Sequence, residues 1–126
     1  GVIGELPSAL TPQELLELLA TLPAVERIAY SNPPTQPIRR IALCGGSGGG
    51  DEFIGEAMRS GAEVYITGEA KYNDYLDVQG RLWLITLGHF ESEHCTRTML
   101  YDALSDKYRN FVIHTSDADT NPIHYF

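Results

Sequence analysis

Apolar positions along this chain follow two rhythms, one of three to four residues and one of short unbroken runs. Leu15, Leu16, Leu18, Leu19 and Leu22 recur at the spacing of one helical face. Ahead of them Thr11, Pro12 and Glu14 supply an N-cap hydroxyl, a first-turn proline and a carboxylate at the third helical position, the elements of a capping box. The pattern predicts a helix that starts there and ends before Pro23, which forces its predecessor out of helical geometry. Glu26 to Tyr30 reads as a short strand. Three prolines between Ser31 and Pro37 mark an irregular loop inside a domain rather than a boundary.

From Ile38 onward the unbroken runs take over. Ile41 to Cys44, Val64 to Ile66 and Leu82 to Leu87 are apolar at nearly every position, as strands buried on both faces are. Between them, helices are predicted over 51–60, with Phe53, Ile54, Ala57 and Met58 on one face, and over 73–78. A longer helix over 92–107 has Cys95, Met99, Leu100, Ala103 and Leu104 as its stripe. Phe111 to His114 reads as a further strand, and Asn121-Pro122 as a turn before the tail Ile123 to Phe126. Strands alternating with helices predict an α/β layered sandwich with a mixed or mainly parallel sheet flanked by helices.

Length and charge narrow the picture. The 126 residues suffice for one hydrophobic core and one domain. Seventeen acidic against nine basic side chains give a net charge of -8, with no basic run longer than Arg39-Arg40, which argues against a nucleic-acid partner. No apolar stretch approaches the roughly 20 residues needed to cross a bilayer, and no charged-then-apolar leader opens the chain. The expectation is a soluble, cytoplasmic protein without a membrane partner. Cys44 and Cys95 are too few for a disulfide framework or a zinc knuckle and are expected to be buried thiols.

Three segments could carry chemistry. Gly45-Gly46-Ser47-Gly48-Gly49-Gly50 links a buried strand to a helix that opens with Asp51-Glu52. Its amides could cradle an anion, but no lysine follows in the phosphate-loop pattern. The two carboxylates would repel phosphate, so tight reversal and close packing is the favoured role. Thr67-Gly68-Glu69 followed by Lys71-Tyr72-Asn73-Asp74 stands at a strand's carboxyl end, where open α/β sheets bind ligands; an ordinary turn with a solvated carboxylate reads equally well. Gly88-His89-Phe90-Glu91-Ser92-Glu93 is the sharpest. It sets His89 and Glu93 four apart at a strand-to-helix junction, where an imidazole nitrogen and a carboxylate could share one divalent ion. A lone pair at that spacing also arises by chance. His94 is expected on the surface, and His114 and His124 to be structural or solvated.

Taken in order, Gly45-Gly46-Ser47-Gly48, Gly61 to Glu69 and Gly88 to Glu93, with Gly1-Val2-Ile3-Gly4-Glu5-Leu6 at the start and Asn121-Pro122 near the end, resemble the C-terminal part of the NGG-one-interacting-factor-three family. Its members are also described as GTP cyclohydrolase I type 2-like or dinuclear metal centre proteins. The resemblance implies two divalent ions, with zinc, manganese or iron all chemically suitable, held between two α/β halves. His89 and Glu93 are then ligands, and Glu69 either supports a ligand or faces a substrate. The remaining ligands are expected from an N-terminal half outside this chain, so the chain alone should hold metal weakly. A homo-oligomer, hexameric in the full-length protein, is also implied. The family commonly has a histidine shortly after T-G-E, where this sequence reads Lys71-Tyr72-Asn73-Asp74. Two readings of function follow: a metal-dependent hydrolase of a nucleotide-like or phosphorylated small molecule, or a non-catalytic metal-binding scaffold or interaction protein.

Overall fold

The computed structural model describes residues 1–118 and 120–125. By internal contacts the chain divides into two compact units, Gly1–Glu93 and the residues from His94 onward.

The first unit is an α/β fold. Its elements run β1 (Val2–Leu10), α1 (Pro12–Ala20), β2 (Ala29–Tyr30), β3 (Ile38–Cys44), α2 (Asp51–Arg59), β4 (Val64–Thr67), α3 (Tyr72–Asp77), β5 (Trp83–Thr86) and α4 (His89–Glu93). The strands form one mixed sheet in the order β1-β3-β4-β5-β2. The central three are parallel, and the two edge strands are antiparallel to their neighbours. All four residues of β4 and the first three of β5 are buried, which is why these strands read as unbroken apolar runs.

The sheet has a core on each face. Leu15 and Leu19 of α1 pack with Ile38, Val64, Trp83 and Ile85. On the other side Ile54 and Ala57 of α2 meet Tyr65, Val78 and Leu84. The start of α1 is fixed locally: Thr11 accepts the Glu14 amide, and the Glu14 carboxylate accepts the Thr11 amide at 2.8 Å, the capping box in full. After β2, Ser31 is buried; its Oγ accepts the Leu84 amide at 2.9 Å and its carbonyl accepts the Trp83 indole N–H at 3.0 Å.

β1 is the element that hydrophobic periodicity does not signal. It is largely exposed, contains Pro7, and its pairing with β3 shifts register between Glu5 and Leu10. Proline is tolerated there because an edge strand can leave an amide position unpaired.

In the second unit α5 spans Cys95–Lys107. The helix predicted over 92–107 therefore occurs as two helices, α4 ending at Glu93 and α5 starting at Cys95. The apolar stripe of α5 is not a core: it contains no buried residue, and Met99, Leu100 and Leu104 are exposed. Helical period reports which side chains share a face, not whether anything covers that face. Cys95 is likewise exposed and Cys44 half-buried, against the expectation of two buried thiols. The strand expected over Phe111 to His114 does not form. The Phe111 amide donates to the Tyr108 carbonyl at 3.0 Å, committing it to a turn, and Phe111 and Val112 are exposed. Phe126, the end of the predicted tail, lies outside the described residues. Among the described residues no helix is long and apolar enough to cross a membrane.

Candidate functional site

The parallel register sets Cys44 beside Thr67 and Thr67 beside Thr86, so the three central strands end level. The loops leaving these ends carry all three segments singled out above, at the edge where open α/β sheets place ligands.

The glycine run leaves β3 and is fastened to β4 from beneath. Thr67, fully buried, accepts the Gly48 amide at 3.1 Å on its Oγ1 and donates that hydroxyl's proton to the Gly46 carbonyl at 3.3 Å. The Tyr65 hydroxyl donates to the Gly48 carbonyl at 2.7 Å; burial is the main reason its pKa is pushed up to about 12. The Gly46 carbonyl also accepts the Glu69 amide at 3.0 Å, and the Gly46 amide donates to Ser92 Oγ at 2.9 Å. Two amides that an anion would need are thus engaged by side chains, and α2 presents Asp51 and Glu52 in its first turn. This arrangement matches close packing rather than a phosphate cradle.

Gly46 occupies the left-handed region, φ 64°, where side chains are disfavoured. A Cβ there would overlap Glu93 Oε1 and approach His89 Nε2 to 3.3 Å. The glycine is therefore what allows the loop backbone to lie against the histidine and glutamate.

His89 opens α4 and Glu93 closes it. Its Nδ1 stands 3.1 Å from Glu69 Oε1 and its Nε2 3.2 Å from Glu93 Oε2, all three side chains being about half exposed. The Ser47 hydroxyl donates to the other oxygen of Glu69 at 2.9 Å. The hydrogen bond with His89, and then that from Ser47, lower the Glu69 pKa, while the bond to Glu69 is the largest influence raising that of His89. Asp74 serves the backbone instead: buried, it accepts the Lys71 amide at 2.7 Å at the start of α3.

The donor set fits part of a metal site. Glu69 and Glu93 contact opposite nitrogens of one imidazole, so both carboxylates and the ring cannot converge on a single ion. With Glu69 fixing the Nδ1 side, Nε2 is directed toward Glu93, the usual arrangement in which a carboxylate orients a ligating histidine from behind. Among the described residues no three His, Cys, Asp or Glu side chains are grouped to hold a metal ion. His114 and His124 are exposed, and His94, expected on the surface, is half-buried.

All three residues singled out from the sequence, His89, Glu93 and Glu69, thus meet. Ser47 and Ser92 were not assigned from sequence. For Ser92 the available signal was its place three residues after His89, on the same side of α4.

Comparison with known proteins agrees with the α/β fold. The family model for Duf34/NIF3 (NGG1p interacting factor 3) matches residues 1–122. A Staphylococcus epidermidis protein named GTP cyclohydrolase 1 type 2 homolog is 32% identical over 130 residues, covering 99% of this chain and 35% of its own length. A Staphylococcus aureus protein of the same name is 30% identical over 132 residues, with the same coverages. The chain thus spans about a third of the length of these curated relatives. Among solved structures, a Staphylococcus aureus protein superposes with a TM-score of 0.77 at 25% identity over 98% of this chain and 41% of that one. A Bacillus cereus protein related to NIF3 gives 0.75 at 26% identity over 98% and 35%.

Proposed function

The chain belongs to the Duf34/NIF3 family, and on that premise we propose that it contributes one side of a divalent-metal centre, with His89 Nε2 and the Glu93 carboxylate as ligands. The observation that carries the reading is the placement of His89 between two carboxylates, Glu69 on Nδ1 and Glu93 on Nε2. Glu69, steadied by Ser47, holds the ring so that the nitrogen beside Glu93 is the one offered to an ion.

Two protein ligands are fewer than the three or more of a catalytic divalent site. The complete centre in this reading contains two divalent ions, zinc, manganese or iron, and draws its other ligands from an N-terminal half in a longer protein that assembles as a homo-oligomer, hexameric when full length. A bound ion pair would supply Lewis acidity and an activated water. The activity this suits is metal-dependent hydrolysis of a nucleotide-like or phosphorylated small molecule, which the relatives' name, GTP cyclohydrolase 1 type 2 homolog, supports.

Titration of the chain with Mn²⁺, followed by paramagnetic broadening of assigned NMR signals, tests the ligand pair. Broadening should centre on residues around His89 and Glu93, and His89→Ala or Glu93→Ala should each remove it. Unchanged broadening in both variants would refute the assignment.

A further inference from the structure

Ser92 lies where the three strand-end loops meet. Its hydroxyl has one proton, which it donates to the His89 carbonyl at 2.9 Å. A serine bonding to a carbonyl one turn back is a local habit of helices. The same oxygen also accepts the Gly46 amide at 2.9 Å, from a residue forty-six positions away. Its proton being committed to His89, Oγ can meet that amide only as an acceptor, so the two bonds fix each other's direction. Gly68, leaving β4, completes the junction: a Cβ on it would stand 2.5 Å from Ser92 Oγ and 2.6 Å from the Gly46 carbonyl. The Gly88 amide in turn donates to the Gly68 carbonyl at 3.0 Å, joining the β5 exit to the β4 exit.

From this convergence we infer that Ser92 is a positioning residue for the metal pair: its hydroxyl ties the loop after β3 to the first turn of α4, and so sets how closely Gly46 lies against His89 Nε2 and Glu93. The inference rests on the metal reading above. Gly46 lies against the proposed ligand atoms of both residues, so releasing its amide lets that contact, and the gap between the ligands, vary. The staples from Tyr65 and Thr67 hold the rest of the glycine loop without Ser92. The unit should therefore keep its fold when the hydroxyl is removed.

The test uses the 126-residue chain and Mn²⁺ alone, with wild type, Ser92→Ala, Ser92→Thr and His89→Ala compared by paramagnetic broadening and by hydrogen exchange of the Gly46 amide. Ser92→Ala should weaken Mn²⁺ binding by about tenfold or more, as loss of a supporting contact to a metal ligand does. It should also speed exchange at Gly46 while leaving the amide spectrum of β3, β4 and β5 in place. Ser92→Thr, which keeps the hydroxyl, should restore both. Gly68→Ala should reproduce the alanine phenotype with Ser92 intact, since its Cβ would displace both the Ser92 hydroxyl and the Gly46 backbone. If Ser92→Ala binds Mn²⁺ as wild type does while His89→Ala abolishes binding, the positioning role is wrong and the metal reading stands. If His89→Ala also binds as wild type does, both are wrong.

Discussion

At the scale of single residues, the site depends on polar groups whose partners are far away in sequence. Thr67 illustrates this. A threonine at the end of an apolar run looks like one more β-former, yet it is buried and serves the glycine loop as both donor and acceptor. Thr67→Val keeps the shape and removes both bonds, leaving the Gly48 amide only its 3.0 Å bond to the Gly46 carbonyl. Stability should fall by about 1–3 kcal/mol, the net contribution of two hydrogen bonds at roughly 0.5–1.5 kcal/mol each, measurable by urea unfolding. A variant as stable as wild type would show that the Thr67 bonds do not hold the loop. The cross-loop bonds of Thr67, Ser47 and Ser92 are not legible in the sequence, because the partners lie 19, 22 and 46 positions away. His89 and Glu93 are legible because their relation is local, one helical turn apart, and Gly88 just ahead marks the sharp entry.

At the scale of elements, legibility follows the same division between local and distant causes. The start of α1 could be read to the residue, since every group of its capping box lies within four positions. β4 and β5 announced themselves through burial on both faces. β1 did not, being an exposed edge strand that carries Pro7 at a register shift. The run after Arg109 misled in the opposite direction: apolar composition suited a strand, but a turn hydrogen bond took the Phe111 amide.

The junction of β3 and β4 makes an acid-sensitive prediction. One oxygen of Glu63 accepts the Arg39 and Arg40 amides, each at 2.7 Å. These two backbone bonds, the Arg40 amide first, lower its pKa. A carboxylate whose folded pKa is depressed contributes stability that is present above its unfolded pKa, ordinarily about 4.3, and lost as pH falls through the folded value. Glu63 is exposed, so solvent screening limits the gain from charge to about 1 kcal/mol. Glu63→Gln should cost that much at neutral pH, and the gap to wild type should close in acid. Thermal unfolding across pH measures it, and a gap that persists or widens in acid would contradict the account.

At the scale of the whole molecule, the level ends of three parallel strands turn three weak sequence signals into one site. Glycine turn, T-G-E and H-x-x-x-E are each common by chance; the register that puts Cys44, Thr67 and Thr86 side by side makes their loops neighbours. The net charge of -8 includes Glu69 and Glu93 on either side of one imidazole, an arrangement suited to a cation. The chain matches about a third of the length of its curated relatives, and in the proposed reading it supplies two ligands rather than a complete set. Affinity for metal should accordingly be low in this chain.

Anomalous scattering from crystals of the chain equilibrated with excess Zn²⁺ tests the central claim most directly. The account predicts a peak within coordination distance of His89 Nε2 and a Glu93 oxygen, about 2.0–2.2 Å from each, with Glu69 still on Nδ1. No peak at that position, or zinc held on the Nδ1 side with Glu69 while Glu93 stands apart, would contradict it.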